Sequence, residues 1–225
     1  MQATAAACVE RGVVIGAHVS YRDRQGFGRR VLPVEPPRLI DDVVEQGRAL
    51  AVEIANVGGA VSFVKPHGAL YHQMGLDPTV AEAVLEAMAR LGIAVLVAQP
   101  HSVVVGRARE RGIRLMAEGF PDRGYLADGR LAPRDLPGGM VDDPGRAGRR
   151  AVSMMRRGGV DAVDGSWVPI EAATLCIHGD APDADTTARA VRSALEADGV
   201  TVGPFLGPQD PGRLGRGRLD PPGDR

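Results

Sequence analysis

Lysine is almost missing from this chain: of 27 basic residues 26 are arginine, and the single lysine is Lys65. An excess of charge of either sign is missing too. Acidic residues number 28 against 27 basic ones, for a net charge of -1, so no whole-molecule field draws the protein to nucleic acid or to an anionic membrane. Small-molecule chemistry is the expectation. Cysteine is limited to Cys8 and Cys176, with no CxxC or Cys/His spacing to suggest a structural zinc. Two reduced thiols in a cytoplasmic protein are expected. No segment approaches the roughly 18 uninterrupted apolar residues of a membrane span. The start, MQATAAACVERG, lacks the basic opening and longer apolar run of a secretory signal.

What is present is a regular alternation. Short Val- and Ile-rich runs bounded by Gly or Pro occur at 12–19, 61–68, 93–101, 113–120, 173–180 and 200–205. Between them, 38–57, 77–91, 102–111, 141–158 and 183–198 place apolar residues on one helical face. Strands alternating with crossover helices predict an α/β fold with a parallel sheet. Residues 160–170 read as a hairpin turning at Asp164-Gly165. With 225 residues, 44% of them apolar, one core and one domain over 1–205 are expected. The Gly-, Pro- and Arg-rich 206–225 has too few apolar residues to order itself and reads as a disordered tail. The chain opens on a helix, 2–11, where a βα fold usually opens on a strand, and six strands would leave a closed barrel short.

In βα folds, sites collect at the C-terminal ends of parallel strands. Five of the six expected strands end in polar residues: His18; Lys65 and His67; Gln99 and His101; Glu118; His178 and Asp180. One histidine at a strand end is commonly a turn or capping residue, but four of the chain's five at one set of ends are less easily accidental. The spacing of His178 and Asp180 suggests a histidine oriented by a carboxylate. Two long polar loops adjoin these ends. SYRDRQGFGRR (20–30) brings Tyr21, Asp23, Gln25, Arg29 and Arg30 around a Gly-Phe-Gly, suited to close backbone approach and carboxylate or phosphate binding. A plain solvated turn is the alternative. EGFPDRGYLADGRLAPRDLPGG (118–139) carries Asp122 and Arg123 and is long enough for a functional lid. GxxxxGK[ST], GxSxG and HExxH are all absent, which takes support from a Walker-type ATPase, a serine hydrolase and a zincin.

Four stretches together resemble the LamB/YcsF family. GAHVSYRDRQGFGRR (16–30) is similar to that family's GAHPSYPDxQGFGRR, with Val19 in place of proline, and VKPHGALYHQ (64–73) matches its KPHGALY block. EGFPDRGYLADGRLAPR (118–134) is similar to its E.FADR.Y...G.L.PR block, and CIHGDAP (176–182) matches C.HGD.P. The resemblance runs from about residue 5 to 205, in the family's order. It implies a (β/α) barrel-like fold of the glycoside hydrolase/deacetylase type. It also implies ATP-dependent opening of the lactam 5-oxoproline to L-glutamate, with Mg accompanying the ATP, together with two further 5-oxoprolinase subunits. The family's usual opening strands, DLNAD.GE and N.ACGFHAGD, have no counterpart here, so the expected barrel lacks its first two strands; a misplaced start codon is the simpler account.

On this resemblance the expected catalytic residues are Lys65, His67, Glu118, His178 and Asp180. Expected to bind substrate or ATP are His18, Tyr21, Gln25, Arg29, Arg30, Tyr71, Asp122 and Arg123. Lys65 would be a compact point charge for a phosphate or oxyanion, His67 or His178 oriented by Asp180 would move protons, and Arg29 or Arg30 would hold a carboxylate. The resemblance leaves a further bound metal open. Two other readings stand beside this one: a metal-dependent amide or acetyl hydrolase acting without ATP, and a shortened subunit that only binds partners.

Overall fold

The computed structural model describes residues 1–180 and 183–206. They form two compact units: Met1–Ala98, Ser102–Leu115 and Leu206 in the first, Gln99–His101 and Met116–Phe205 in the second.

Unit one begins with α1 (Gln2–Glu10) and the short strand β1 (Ile15–Ala17). It continues with α2 (Pro36–Ala55), β2 (Val61–Val64), α3 (Gly68–Leu76), α4 (Pro78–Leu91), β3 (Val95–Ala98) and α5 (Val104–Glu110). β1, β2 and β3 lie parallel in that order. Arg114, the first residue of β4 (Arg114–Gly119), extends the unit by donating to Ala94 O at 2.8 Å. β2 and β3 are short and almost wholly buried, as expected of a parallel sheet covered by helices. α4 has the start and stop written in its sequence. The Asp77 side chain accepts from Thr79 N–H, Pro78 fills the first turn, and Gly92 closes the end with φ 66°. Gly47, in the middle of α2, lets Leu91 approach: a Cβ there would lie 2.6 Å from Leu91 Cδ1. Glycine in a helix interior costs about 1 kcal/mol, which this close helix contact offsets.

Unit two carries the rest of β4, then α6 (Pro144–Arg157), the hairpin β5 (Gly159–Asp161) with β6 (Trp167–Pro169), β7 (Thr174–Leu175) and α7 (Ala184–Ala197). β4 pairs in parallel with β7, Glu118 opposite Thr174 and Gly119 opposite Leu175. α6 and α7 bury Ala147, Ala151, Val191 and Leu195 between them. At their crossing a Cβ on Gly148 would stand 3.0 Å from Ala194 Cβ.

The α/β class is as expected, and the predicted hairpin is present, with Gly165 at φ 84° and Asp164 Oδ1 accepting from Ser166 N–H and Oγ–H. Two expectations need correction. Residues 200–205 form no strand, since Gly203 and Pro204 interrupt so short a run. A helix not expected, α3, follows β2 directly; its sequence GALYHQMGL has no polar stripe to mark a helical period. The predicted tail, apart from Leu206, lies outside the described residues. Among the described residues no helix is long and apolar enough to cross a membrane.

Candidate active site

In unit one the chain runs on past β1 and β2 in parallel register: Lys65 N–H donates to Ala17 O at 2.9 Å and His67 N–H to Val19 O at 2.7 Å. This continuation brings His18 beside Lys65 and His67. His18 Nδ1 lies 2.8 Å from Lys65 O, His18 Nε2 lies 3.0 Å from His67 Nδ1, and His67 Nε2 lies 2.7 Å from Phe27 O. The two rings meet edge to face, with centroids 4.9 Å apart.

Loop 20–30 is folded onto this pair by specific contacts. Gln46 of α2 accepts from Ser20 N–H and donates to Ser20 O. Asp23, buried, accepts from Gly26 N–H and is gripped by Arg30. The Arg30 bond, and then the Gly26 amide, bring its carboxyl down to about 2. Gly28 O accepts from Ala69 N–H at 2.9 Å. That contact requires Gly68, at φ 55°, because a Cβ there would stand 2.6 Å from Gly28 O. Arg29 lies over the exposed Phe27 ring at 5.2 Å.

In unit two the extension of β7 carries His178. Cys176 N–H donates to Gly119 O, and two residues on, Asp122 Oδ2 accepts from both His178 N–H (2.9 Å) and His178 Nδ1 (2.8 Å). A carboxylate on Nδ1 fixes the tautomer and leaves Nε2 as the acceptor. The expected orienting group was Asp180, which is exposed; the structure gives that position to Asp122, which is 5% exposed. Among the described residues the other Asp122 oxygen, Oδ1, is buried with no hydrogen-bond partner. Phe120 stacks on His178, centroids 5.9 Å apart, and its N–H donates to the buried Tyr125 hydroxyl at 2.9 Å. Burial above all pushes that hydroxyl's pKa up, with the charges of Glu118 and Asp122 adding to it. Glu118 is itself buried, beside Thr174 of β7.

The expected site residues therefore divide. His18, Lys65 and His67 gather at the ends of β1 and β2, and Asp122 and His178 pair at the ends of β4 and β7. Tyr21 is part of the core of unit one, and burial raises its hydroxyl pKa. Tyr71 is buried on α3 against His72. Gln25 is exposed on the loop, and Arg30 is taken up by Asp23. Arg123 is buried and donates to Gly139 O and Ala132 O, anchoring the 118–139 segment. His101 donates its Nε2–H to Pro169 O at 2.9 Å, beside the hairpin. Among the described residues no three His, Cys, Asp or Glu side chains converge as a metal site. Two participants escaped sequence reasoning. The Phe27 carbonyl is main chain and carries no residue signature beyond its flanking glycines, and Tyr125 reads as one more residue of a polar loop.

The fold and these side chains define a class, a parallel α/β protein with imidazoles and carboxylates collected at strand ends. Residues 1–209 match the model of the LamB/YcsF family, and the chain belongs to that family. It is 42% identical over 207 residues to the A-type subunit of 5-oxoprolinase from Cutibacterium acnes, an alignment covering 90% of this chain and 81% of that protein. It is 44% identical over 203 residues to the protein of the same name from Chloroflexus aggregans, with 90% and 81% covered. The crystal structure of the lactam utilization protein from Thermus thermophilus shares the fold, with a TM-score of 0.82 at 41% identity over 91% of this chain and 84% of that one.

Proposed function

We propose that this chain is one subunit of an ATP-dependent 5-oxoprolinase that hydrolyses 5-oxo-L-proline to L-glutamate, with ATP going to ADP and phosphate, in company with two further subunits. The observation that carries the reading is the Asp122–His178 pair, built from two of the sequence blocks that resemble the family's, in a chain similar overall to relatives named as 5-oxoprolinase subunits. A five-membered lactam resists water because its amide is resonance-stabilised and its nitrogen leaves poorly. Transfer of the ATP phosphoryl group to the amide oxygen makes the carbon open to attack. ATP is a co-substrate here, with Mg accompanying it.

His178 has the arrangement of a general base. Asp122 accepts from Nδ1–H and stabilises the imidazolium formed when Nε2 takes a proton from water. In unit one, Lys65 supplies a compact cation for phosphate or oxyanion, and Arg29, exposed on its loop, supplies a planar fork for a carboxylate.

The test is reconstitution with the partner subunits, following glutamate and phosphate release from 5-oxoproline and ATP. Lys65→Met should remove ATP-coupled glutamate release while the fold is kept. Asp122→Asn should lower kcat by about a hundredfold or more, the scale of an oriented general base lost. A complex that releases no glutamate, or a Lys65→Met complex of unchanged turnover, overturns the reading.

A further inference from the structure

Three hydrogen bonds run in one line through unit one: Lys65 O to His18 Nδ1, His18 Nε2 to His67 Nδ1, and His67 Nε2 to Phe27 O. A carbonyl oxygen only accepts, so both outer nitrogens carry hydrogen. A neutral imidazole has a single N–H. Two neutral rings in this arrangement would set bare lone pairs against each other 3.0 Å apart. The inner contact becomes attractive only when a further proton occupies it. We propose that His18 and His67 form one acid-base unit holding three protons on four nitrogens, the third shared between the inner two, and that this unit rests as a monocation and donates the shared proton.

The backbone around the pair is arranged to keep both ends accepting. Phe27 is the residue whose carbonyl takes the His67 Nε2–H, and among the described residues it is the only one other than glycine with positive φ, at 55°. Such a conformation in a bulky residue is strained and persists where the surroundings hold it. Gly28 closes on the ring, since a Cβ there would sit 3.0 Å from His67 Cδ2. The elements bearing the pair also bear Lys65, Arg29, the Arg30–Asp23 ion pair, Tyr71 and His72. The one carboxylate of loop 20–30 is committed to Arg30.

This inference rests on the proposed lactam hydrolysis only for its use. There, the shared proton passes to the ring nitrogen as the C–N bond breaks and the nitrogen takes up the electron pair. Both imidazoles are then neutral, and solvent restores the proton. The protonation state itself is testable without turnover. In the full chain labelled with nitrogen-15 at histidine, at pH 7, the outer nitrogens of His18 and His67 should read as N–H. The inner two should share one strongly deshielded proton. His18→Gln should abolish that signal and leave His67 a neutral ring with hydrogen on Nε2. Inner nitrogens bare in both rings, or a His18 carrying its hydrogen on Nε2 alone, would refute the proposal, as would inner-nitrogen signals that change on adding EDTA, which would mean a bound metal. In the reconstituted complex, His18→Gln should lower kcat more than it raises KM. If the spectra are as expected and no glutamate is released, the lactam reading fails and the shared proton stands; if kcat is untouched in an active complex, the donor role fails.

Discussion

Tyr125→Phe removes one oxygen and nothing else. The ring is 1% exposed and stays where it is, so the apolar area it buries is unchanged. The loss is the hydroxyl that accepts from Phe120 N–H at 2.9 Å, at a residue that is 3% exposed. Taking away the acceptor of a buried amide costs about 1–3 kcal/mol, more than the net worth of an ordinary hydrogen bond. For a chain of this size that corresponds to a fall in Tm of about 2–12 °C. If the loss is felt locally, exchange of the Phe120 amide speeds up by about 5- to 150-fold, at roughly 1.36 kcal/mol per factor of ten. Because Phe120 stacks on His178, the His178 ring resonances should shift as well. Thermal melts followed by circular dichroism, together with amide exchange resolved at Phe120, measure both effects. A variant that melts within about 1 °C of the parent and exchanges Phe120 at the parent rate would show that the hydroxyl does not hold that amide.

Two further outcomes follow from unit one. Gly68→Ala puts a left-handed conformation, worth about 1–2 kcal/mol, on top of a Cβ contact of 2.6 Å with Gly28 O, whereas Gly12→Ala meets nothing within 4 Å at φ 65°. Melts of the two should therefore differ, with Gly68→Ala the less stable, and equal melts would remove the argument for a clamped loop. The Asp23 carboxyl is lowered to about 2 by Arg30 and Gly26 from an ordinary value of about 3.9. A lowered folded-state value means a stabilising contribution complete above about pH 4 and lost as pH falls towards 2. In acid titrations the parent should lose its advantage over Asp23→Asn across that window, and a constant difference down to pH 2 would contradict it.

Much of this was legible in the sequence because the sheet is parallel and its strand ends are punctuated. His18, Lys65 and His67 stand directly after apolar runs and meet in unit one for topological reasons alone; His178 stands after another such run, in unit two. The helix starting at Gly68 was hidden because its apolar residues surround it without a period. The false strand at 200–205 shows the converse: apolar composition does not establish pairing when Gly203 and Pro204 sit in a six-residue run. Asp122 is legible as a site residue, but its bond to His178 is not, since Asp180 is nearer to that histidine in sequence. Only the pairing of β4 with β7 puts Asp122, 56 residues away, against that ring.

The anchoring of the segment after β4 has an evolutionary consequence. Arg123 and Arg150 hold it by donating to the carbonyls of Gly139, Ala132, Pro121 and Arg123, and Arg150 ties it to β5 through the Asp161 carbonyl. Every amino acid brings a carbonyl, so this grip makes no demand on the exposed side chains from Pro133 to Pro137. Two guanidinium groups thus set the path of the backbone while its outward letters can drift, giving a surface that can be rewritten for a new neighbour without refolding what lies beneath.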